Sequence, residues 1–349
     1  MSPAVGARAA RLEEACRRAA RFLASMQRPD GRWLDFRFRF AFNGNEVISS
    51  QWVTAYVGAS LASGGAEPGA LDRARAWLMA SQHPGGGWGF SRATPADADS
   101  TANALHFFAR HRDSSPASEA ALEFATGWLL RYWDGAEGGF RTYRPVAARA
   151  QGEQLAYPGS SWCDVHVSVT ALAAEALRVA DARRHAAVLE QATTTLARAQ
   201  SPEGFWEAFW WHGRTYSTYQ AARVLAHLGD PAAGQRAVDW LLRIRHEDGG
   251  WGNGLGGPPS AFHTALALRT LTLDSRADGK DAAAAAVDWL LEAQESDGGF
   301  ATGPIMRMPR PDVHAPWEAP ETCLLVPLLY DRNRVFTTAS VLEALNEGP

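Results

Sequence analysis

Along the whole chain, apolar positions recur at helical spacing in stretches that end each time at a glycine and an aromatic residue. Two kinds of helix alternate. Residues 8–27, 69–82, 117–133, 183–200, 231–245 and 280–294 carry Arg, Glu and Asp along one face and predict outer helices. Residues 50–62, 98–110, 164–180, 215–228, 260–272 and 335–346 are rich in Ala, Leu, Val and Thr, hold few charges, and predict inner helices whose small residues permit close packing. Between the first outer and inner helices, the strict alternation of residues 34–42 predicts a short strand or hairpin with Arg37 and Arg39 on one side.

The alternation is an internal repeat. A glycine is followed two residues later by an aromatic at Gly31/Trp33, Gly86/Trp88, Gly138/Phe140, Gly204/Trp206, Gly249/Trp251 and Gly298/Phe300. Four residues before the glycine stand Gln27, Gln82, Asp134, Gln200, Arg245 and Gln294. After the turn, the inner helix is marked by Thr54-Ala55, Thr101-Ala102, Thr170-Ala171, Gln220-Ala221, Thr264-Ala265 and Thr338-Ala339. Six such hairpins can close on one another so that no copy keeps an unburied face. The expected fold is therefore all-α, a single (α/α)6 toroid formed by residues 1–349 as one domain. Residues 141–164 and 301–334 exceed ordinary loop length and are expected to roof one end of a central cavity.

Composition narrows the functional classes. With 46% hydrophobic residues the chain can bury a large core, and a net charge of -4 without a basic run argues against nucleic acid. Cys16, Cys163 and Cys323 are too few and too scattered for a disulfide framework or a Cys-x-x-Cys site, which suits a reducing cytoplasm. The start lacks the apolar core of a signal peptide, and no stretch reaches the length of a membrane span, so at most peripheral membrane contact is expected. Oligomeric state is not legible in the sequence.

Candidate chemistry emerges when the copies are aligned on Thr-Ala, with Gln220-Ala221 standing for the fourth. Four residues before the marker the copies read Ser50, Asp97, His166, Tyr216, Ser260 and Arg334; two before, they read Trp52, Asp99, Ser168, Thr218, Phe262 and Phe336. The second copy alone is acidic at both places. Helix capping explains one aspartate at a helix start, worth about 1 kcal/mol, but leaves the second without a reason. Two carboxyl groups in an apolar cavity raise one another's affinity for a proton and yield a neutral acid, with Ser100 placed to orient either. Aromatic faces suit the wall of such an apolar cavity. Trp52, Trp162, Trp210 and Trp211, with Phe107, Tyr216, Tyr219 and Phe262, are the candidate lining, joined by His166 and His263 as polar residues of the cavity mouth.

The Gln-x-x-x-Gly-x-Trp spacing, whole at Gln27/Gly31/Trp33, Gln82/Gly86/Trp88 and Gln200/Gly204/Trp206, resembles the QW motif of the squalene cyclase and prenyltransferase superfamily. That motif is structural, so it speaks for the fold. The stretch 95–105, PADADSTANAL, is similar to the DxDD-T-A motif of class II terpene cyclases, with Ser100 in place of the fourth acid. The resemblance implies that Asp99 donates a proton to an apolar isoprenoid substrate, with Asp97 as its neighbour. It further implies a protonation-initiated cyclase or isomerase without a resident metal or cofactor, Mg2+ entering only if the substrate carries a diphosphate. In squalene-hopene cyclase a His supports the acid from the next inner helix; Leu172 stands there, and His166 is the nearest substitute. Arg37, Arg39, Arg214 and Arg307 are candidate partners for a diphosphate. Two other readings stay open: a non-catalytic toroid that binds an apolar ligand or protein partner, and a zinc prenyltransferase-like enzyme. For the last, Phe262-His263-Thr264-Ala265 resembles the His segment, while 213–218 lacks the Asp and Cys. Cys163, Asp164, His166, His212 and His263 have residue types suited to zinc, though their spacing matches no zinc motif.

Overall fold

The computed structural model describes residues 3–40, 44–64, 69–112, 115–145 and 157–348. Its helices pair in chain order: α1 (Pro3–Met26) with α2 (Gln51–Leu61), α3 (Ala70–Ser81) with α4 (Ala98–Arg110), and α5 (Pro116–Leu130) with α6 (Val167–Asp181). The second half follows the same order: α7 (Ala186–Arg198) with α8 (Thr215–Leu228), α9 (Pro231–Ile244) with α10 (Ala261–Leu271), and α11 (Ala277–Ala293) with α12 (Val335–Glu347). Even-numbered helices form the inner ring. Each packs on the next, and α12 packs on α2, which closes the toroid. Every described residue of α2 is buried, whereas α3 buries only part of its surface, as the outer and inner patterns require.

The turn between the two helices explains the repeat. In all six copies the backbone N–H of the turn aromatic donates to a threonine hydroxyl in the first turn of the inner helix: Trp33 to Thr54 at 3.0 Å, Trp88 to Thr101 at 3.0 Å and Phe140 to Thr170 at 2.9 Å, then Trp206 to Thr218 at 3.1 Å, Trp251 to Thr264 at 3.0 Å and Phe300 to Thr338 at 3.1 Å. Four indoles reach back to a leucine carbonyl near the end of the outer helix, as Trp33 Nε1 does to Leu23 at 2.7 Å. The motif glutamine joins neighbours: Gln27 Nε2 donates to the Gly31 carbonyl at 2.8 Å and to Ala70, in the next outer helix, at 2.9 Å. Gln294 donates in the same way to Ala15 at 2.9 Å, fastening the last copy to the first. At Gly31, with φ of 100°, a Cβ would meet the Arg73 carbonyl at 2.3 Å, so only glycine fits.

These bonds correct the alignment of the fourth copy. Thr218, not Gln220, is the equivalent of the other threonines. The helix caps then agree throughout: Ser50, Asp97, His166, Arg214, Ser260 and Arg334 precede the six inner helices. Two residues beyond each cap stand Trp52, Asp99, Ser168, Tyr216, Phe262 and Phe336. Seven residues further along the helices stand Ala59, His106, Glu175, Arg223, Arg269 and Glu343, an ionic layer in which Arg269 meets Glu343 at 2.7 Å and Arg223 approaches Glu175 at 3.8 Å.

Two irregular features lie at the end where the inner helices begin. Strands β1 (Asp35–Arg39) and β2 (Glu46–Ser49) form the hairpin expected from the alternation; residues 41–43 lie outside the described ones. The segment 301–334 lies across the same end, bridging Trp211 to Met306 and Met306 to Leu329. Of the other long loop, residues 146–156 lie outside the described ones. Cys16, Cys163 and Cys323 are all free.

Replacing Thr218 by Val leaves the buried Trp206 N–H without its acceptor. Chemical denaturation is expected to show a loss of about 1–3 kcal/mol for Thr218→Val. An unchanged midpoint would show that the turn does not depend on this bond.

Candidate active site

Asp97 is positioned by a miniature hairpin, β3 (Trp88–Gly89) against β4 (Ala96–Asp97), with Trp88 opposite Asp97. It caps α4: Oδ1 accepts from Ser100 N–H at 2.7 Å, and Oδ2 accepts from the Ser100 hydroxyl at 2.9 Å. Capping therefore does account for one aspartate of the pair. Asp99, two residues on, is turned to the axis, where Trp52 Nε1 donates to its Oδ2 at 2.8 Å.

Four of the five other copies carry an aromatic at the repeat position of Asp99, namely Trp52, Tyr216, Phe262 and Phe336, while Ser168 stands on the next inner helix. Trp52 and Phe336 stack at 4.8 Å, Phe262 lies 5.7 Å from Phe336, and Trp211 lies over Tyr216 at 3.6 Å. Into this floor the fold sets a carboxyl group with one side-chain donor. Burial pushes Asp99 up to about 7, against the pull of the Trp52 N–H. Burial, and then the charge of Asp99, push Asp97 up to about 8, opposed by the donors of Ser100 and Phe90. The two pull against geometry, since the donors that converge on Asp97 suit its carboxylate. We read the pair as one unit that holds a proton at neutral pH, with the less hydrogen-bonded Asp99 as the side chain able to give it up.

Above the floor lies a cavity of about 870 Å³ whose wall includes Trp52, Asp97, Asp99, Ser100, Trp162, Trp210 and Trp211. Several wall residues escaped sequence reasoning: Phe38 and Val47 from the hairpin, Phe90 and Tyr143 from turns, and Met306, Met308 and Leu329 from segment 301–334. They belong to no repeat position, so alignment of the copies could not single them out.

Most of the other candidates sit elsewhere. Tyr216 and Phe262 are floor residues beneath Trp211 and do not reach the cavity surface. Phe107 packs between inner helices, against Phe108 at 5.7 Å and with its ring beside Gly58, because it lies eight residues beyond Asp99 and faces α2. Tyr219 is one turn below Tyr216, with the guanidiniums of Arg269 and Arg223 at 4.5 and 5.2 Å from its ring. His166 and His263 are buried behind the wall and held by the hydroxyls of Thr142 at 2.7 Å and Thr215 at 2.6 Å. Arg214 is paired with Glu207 at 2.8 Å, and Arg307, which does line the cavity, has its guanidinium engaged by the carbonyls of Ala208, Phe209 and Pro316. Arg37 and Arg39 are exposed on β1 and reach Glu46 only at 3.8 and 3.9 Å. Arg131 and Arg144, both exposed at the cavity mouth, have no carboxylate partner among the described residues. Among the described residues, no group of three or more His, Cys, Asp or Glu side chains is placed to hold a metal ion; Asp164 is engaged by His314 at 2.5 Å. No described helix is long and apolar enough to cross a membrane.

Comparison with known proteins agrees with this geometry. The family model of the squalene-hopene cyclase C-terminal domain matches residues 90–257, which include the acid pair. The chain is 30% identical over 237 residues to a drimenyl diphosphate synthase of Streptomyces showdoensis, covering 65% of this chain and 40% of that protein. It thus spans about two fifths of the length of that relative. Over nearly its full length it is similar to the type II terpene cyclase MstE from Scytonema. A complex of an MstE variant with its substrate, geranylgeranyl dihydroxybenzoate, has 27% identity and a TM-score of 0.81, covering 97% of this chain and 98% of that one. A complex of another variant with its product, merosterolic acid A, has 28% identity and the same TM-score of 0.81, covering 97% of each chain. A structure of a protein from Actinoplanes is 31% identical, with a TM-score of 0.79, covering 96% of this chain and 99% of that one.

Trp52 supplies a donor that favours the carboxylate of Asp99, so its removal favours the acid. Trp52→Phe is expected to raise the titration midpoint of Asp99 by about 1 unit, read from the carboxyl carbon resonance. A midpoint that stays or falls would show that the indole does not control the acid.

Proposed function

We infer that this chain is a member of the squalene cyclase superfamily, on its class II terpene cyclase branch, and that it cyclises or isomerises a polyprenyl-type substrate by protonation, with Asp99 as the general acid. The observation that carries the reading is the place of Asp99: it is the one carboxyl group in a ring position otherwise held by four aromatics and a serine, half-buried in the cavity wall and pushed up to about 7 by desolvation. A surface carboxyl group would be ionised near neutrality and could protonate nothing as weakly basic as an alkene.

In this mechanism the substrate enters between the hairpin and segment 301–334 and lays its terminal alkene on the floor beside Asp99. The acid gives its proton to the alkene, and the new carboxylate keeps the Trp52 N–H, which stabilises it. Asp97, fixed by Ser100, holds the helix start so that Asp99 cannot turn away. The faces of Trp52, Trp211 and Phe90 shield the cation from water without offering a nucleophile. The chain's own carboxyl group supplies the proton, so the reaction requires no cofactor. A diphosphate head group would meet Arg131 and Arg144 at the mouth, in place of the four arginines expected from the sequence, and Mg2+ would enter only with such a group. Residues 1–349 act in this reading as one toroid domain.

The test is incubation with farnesyl diphosphate, geranylgeranyl diphosphate and their free alcohols. Cyclic or isomerised product is expected from the wild type, with Asp99→Asn slower by about 1,000-fold. Because the protonated acid is the active form, kcat/KM should be flat at low pH and fall as pH rises through about 7. Equal product from Asp99→Asn would refute the acid assignment.

A further inference from the structure

A proton that enters from Asp99 must leave again when the final cation becomes an alkene. Ring closure carries the charge away from the floor, so the proton departs at another point of the wall. Most oxygens of the wall are unsuited to receive it. Glu46 is solvent-exposed at the mouth, Thr94 is tied in a local turn with Ser91, and burial pushes the Tyr143 phenol well up and keeps it neutral.

Thr142 is different. Its side chain faces the cavity yet is buried, and its Oγ1 accepts from Trp210 Nε1 at 2.9 Å and lies 2.7 Å from His166 Nδ1. Because an indole can only donate, the oxygen is free to send its single hydrogen to the imidazole. His166 stacks on Phe209 at 4.1 Å, and burial pushes it down to about 3, so the ring is neutral at rest. Its Nε2 makes no hydrogen bond of good geometry, although the Ser161 carbonyl favours the protonated ring. The Thr142 carbonyl accepts the Ala98 N–H at 3.0 Å, which ties this pair to the start of α4, between the two acids.

We propose that Thr142, backed by His166, is the base that ends the reaction. The inference rests on the protonation mechanism above. The C–H bond next to the last cation breaks, and its electron pair becomes the new double bond. The proton goes to Thr142 Oγ1 as the hydroxyl proton passes to His166 Nδ1, leaving an imidazolium. A weakly basic imidazole suffices, because a proton beside a carbocation is far more acidic than any imidazolium. The low affinity of His166 for the proton also lets it go before the next turnover.

The experiment compares products from farnesyl and geranylgeranyl diphosphate made by the wild type, Thr142→Val, Thr142→Ser and His166→Leu, each verified as folded by circular dichroism. Thr142→Val and His166→Leu should change the ratio of the native alkene to water-quenched alcohols and other alkenes by about 10-fold or more. Thr142→Ser should return the ratio to that of the wild type, which a purely structural role of the hydroxyl does not predict. A wild-type ratio from folded Thr142→Val overturns the assignment, and that variant decides alone if His166→Leu does not fold. No product from the wild type with either substrate or its alcohol would overturn the cyclase reading, and this inference with it. Active enzyme with an unchanged ratio overturns only the base.

Discussion

The hydrogen bond from the turn aromatic's backbone N–H to the threonine hydroxyl fixes where everything else in this toroid can be. It spans 2.9 to 3.1 Å in every copy and pins the end of the turn to the first turn of the inner helix. Six helices pinned in this way begin at one level. Side chains at equivalent positions then share a height along the axis, and a single substitution among six is enough to make a site. An aromatic there adds to the floor. An aspartate there is set among aromatic side chains at the cavity wall, and desolvation is the origin of its raised pKa.

The parallel inner helices also polarise the axis. Their N-termini point toward the cavity and favour negative charge, while their C-termini point toward the ionic layer and favour positive charge. The charges obey this at both ends. Arg110, Arg178, Arg223 and Arg269 gather at the C-terminal end around Glu175, Glu343 and Glu347. At the other end the helix amides lower the cost of the carboxylate that Asp99 becomes. Burial outweighs them in the resting state, since both aspartates remain above the usual carboxylate range. The acid is thus neutral before transfer and not stranded after it.

What the sequence could disclose follows the same division. The toroid, its two layers and the unusual second copy were legible because they are departures from, or instances of, a sixfold pattern. The fourth copy misleads by two residues, since Gln220-Ala221 looks like the marker while Thr218 makes the bond. With that shift corrected, Tyr216 joins Trp52, Phe262 and Phe336, and the aromatic floor becomes visible as a repeat feature. Depth along a helix was harder to judge. Tyr219 is one turn too deep, and Phe107 points at a neighbouring helix, though composition alone makes both look like lining. The roof was the least legible, because Tyr143, Met306, Met308 and Leu329 answer to no periodicity and reach the cavity only through long-range pairing such as Met306 with Leu329.

The division has a consequence for how such an enzyme changes. Floor residues are bound by ring closure: Trp52, Phe336, Phe262 and Tyr216 pack one on the next, so altering one disturbs the packing of the others. Roof residues come from a hairpin and from loops between helices, where length and sequence can vary without opening the ring. Initiation therefore belongs to the frame, through Asp99 and its aromatic neighbours. The folding of the substrate chain, and the point at which the cation is discharged, belong to the wall around Thr142, Tyr143 and Trp210 and to the segment above it. A toroid of this kind can keep one way of starting a reaction while its loops set where the reaction stops.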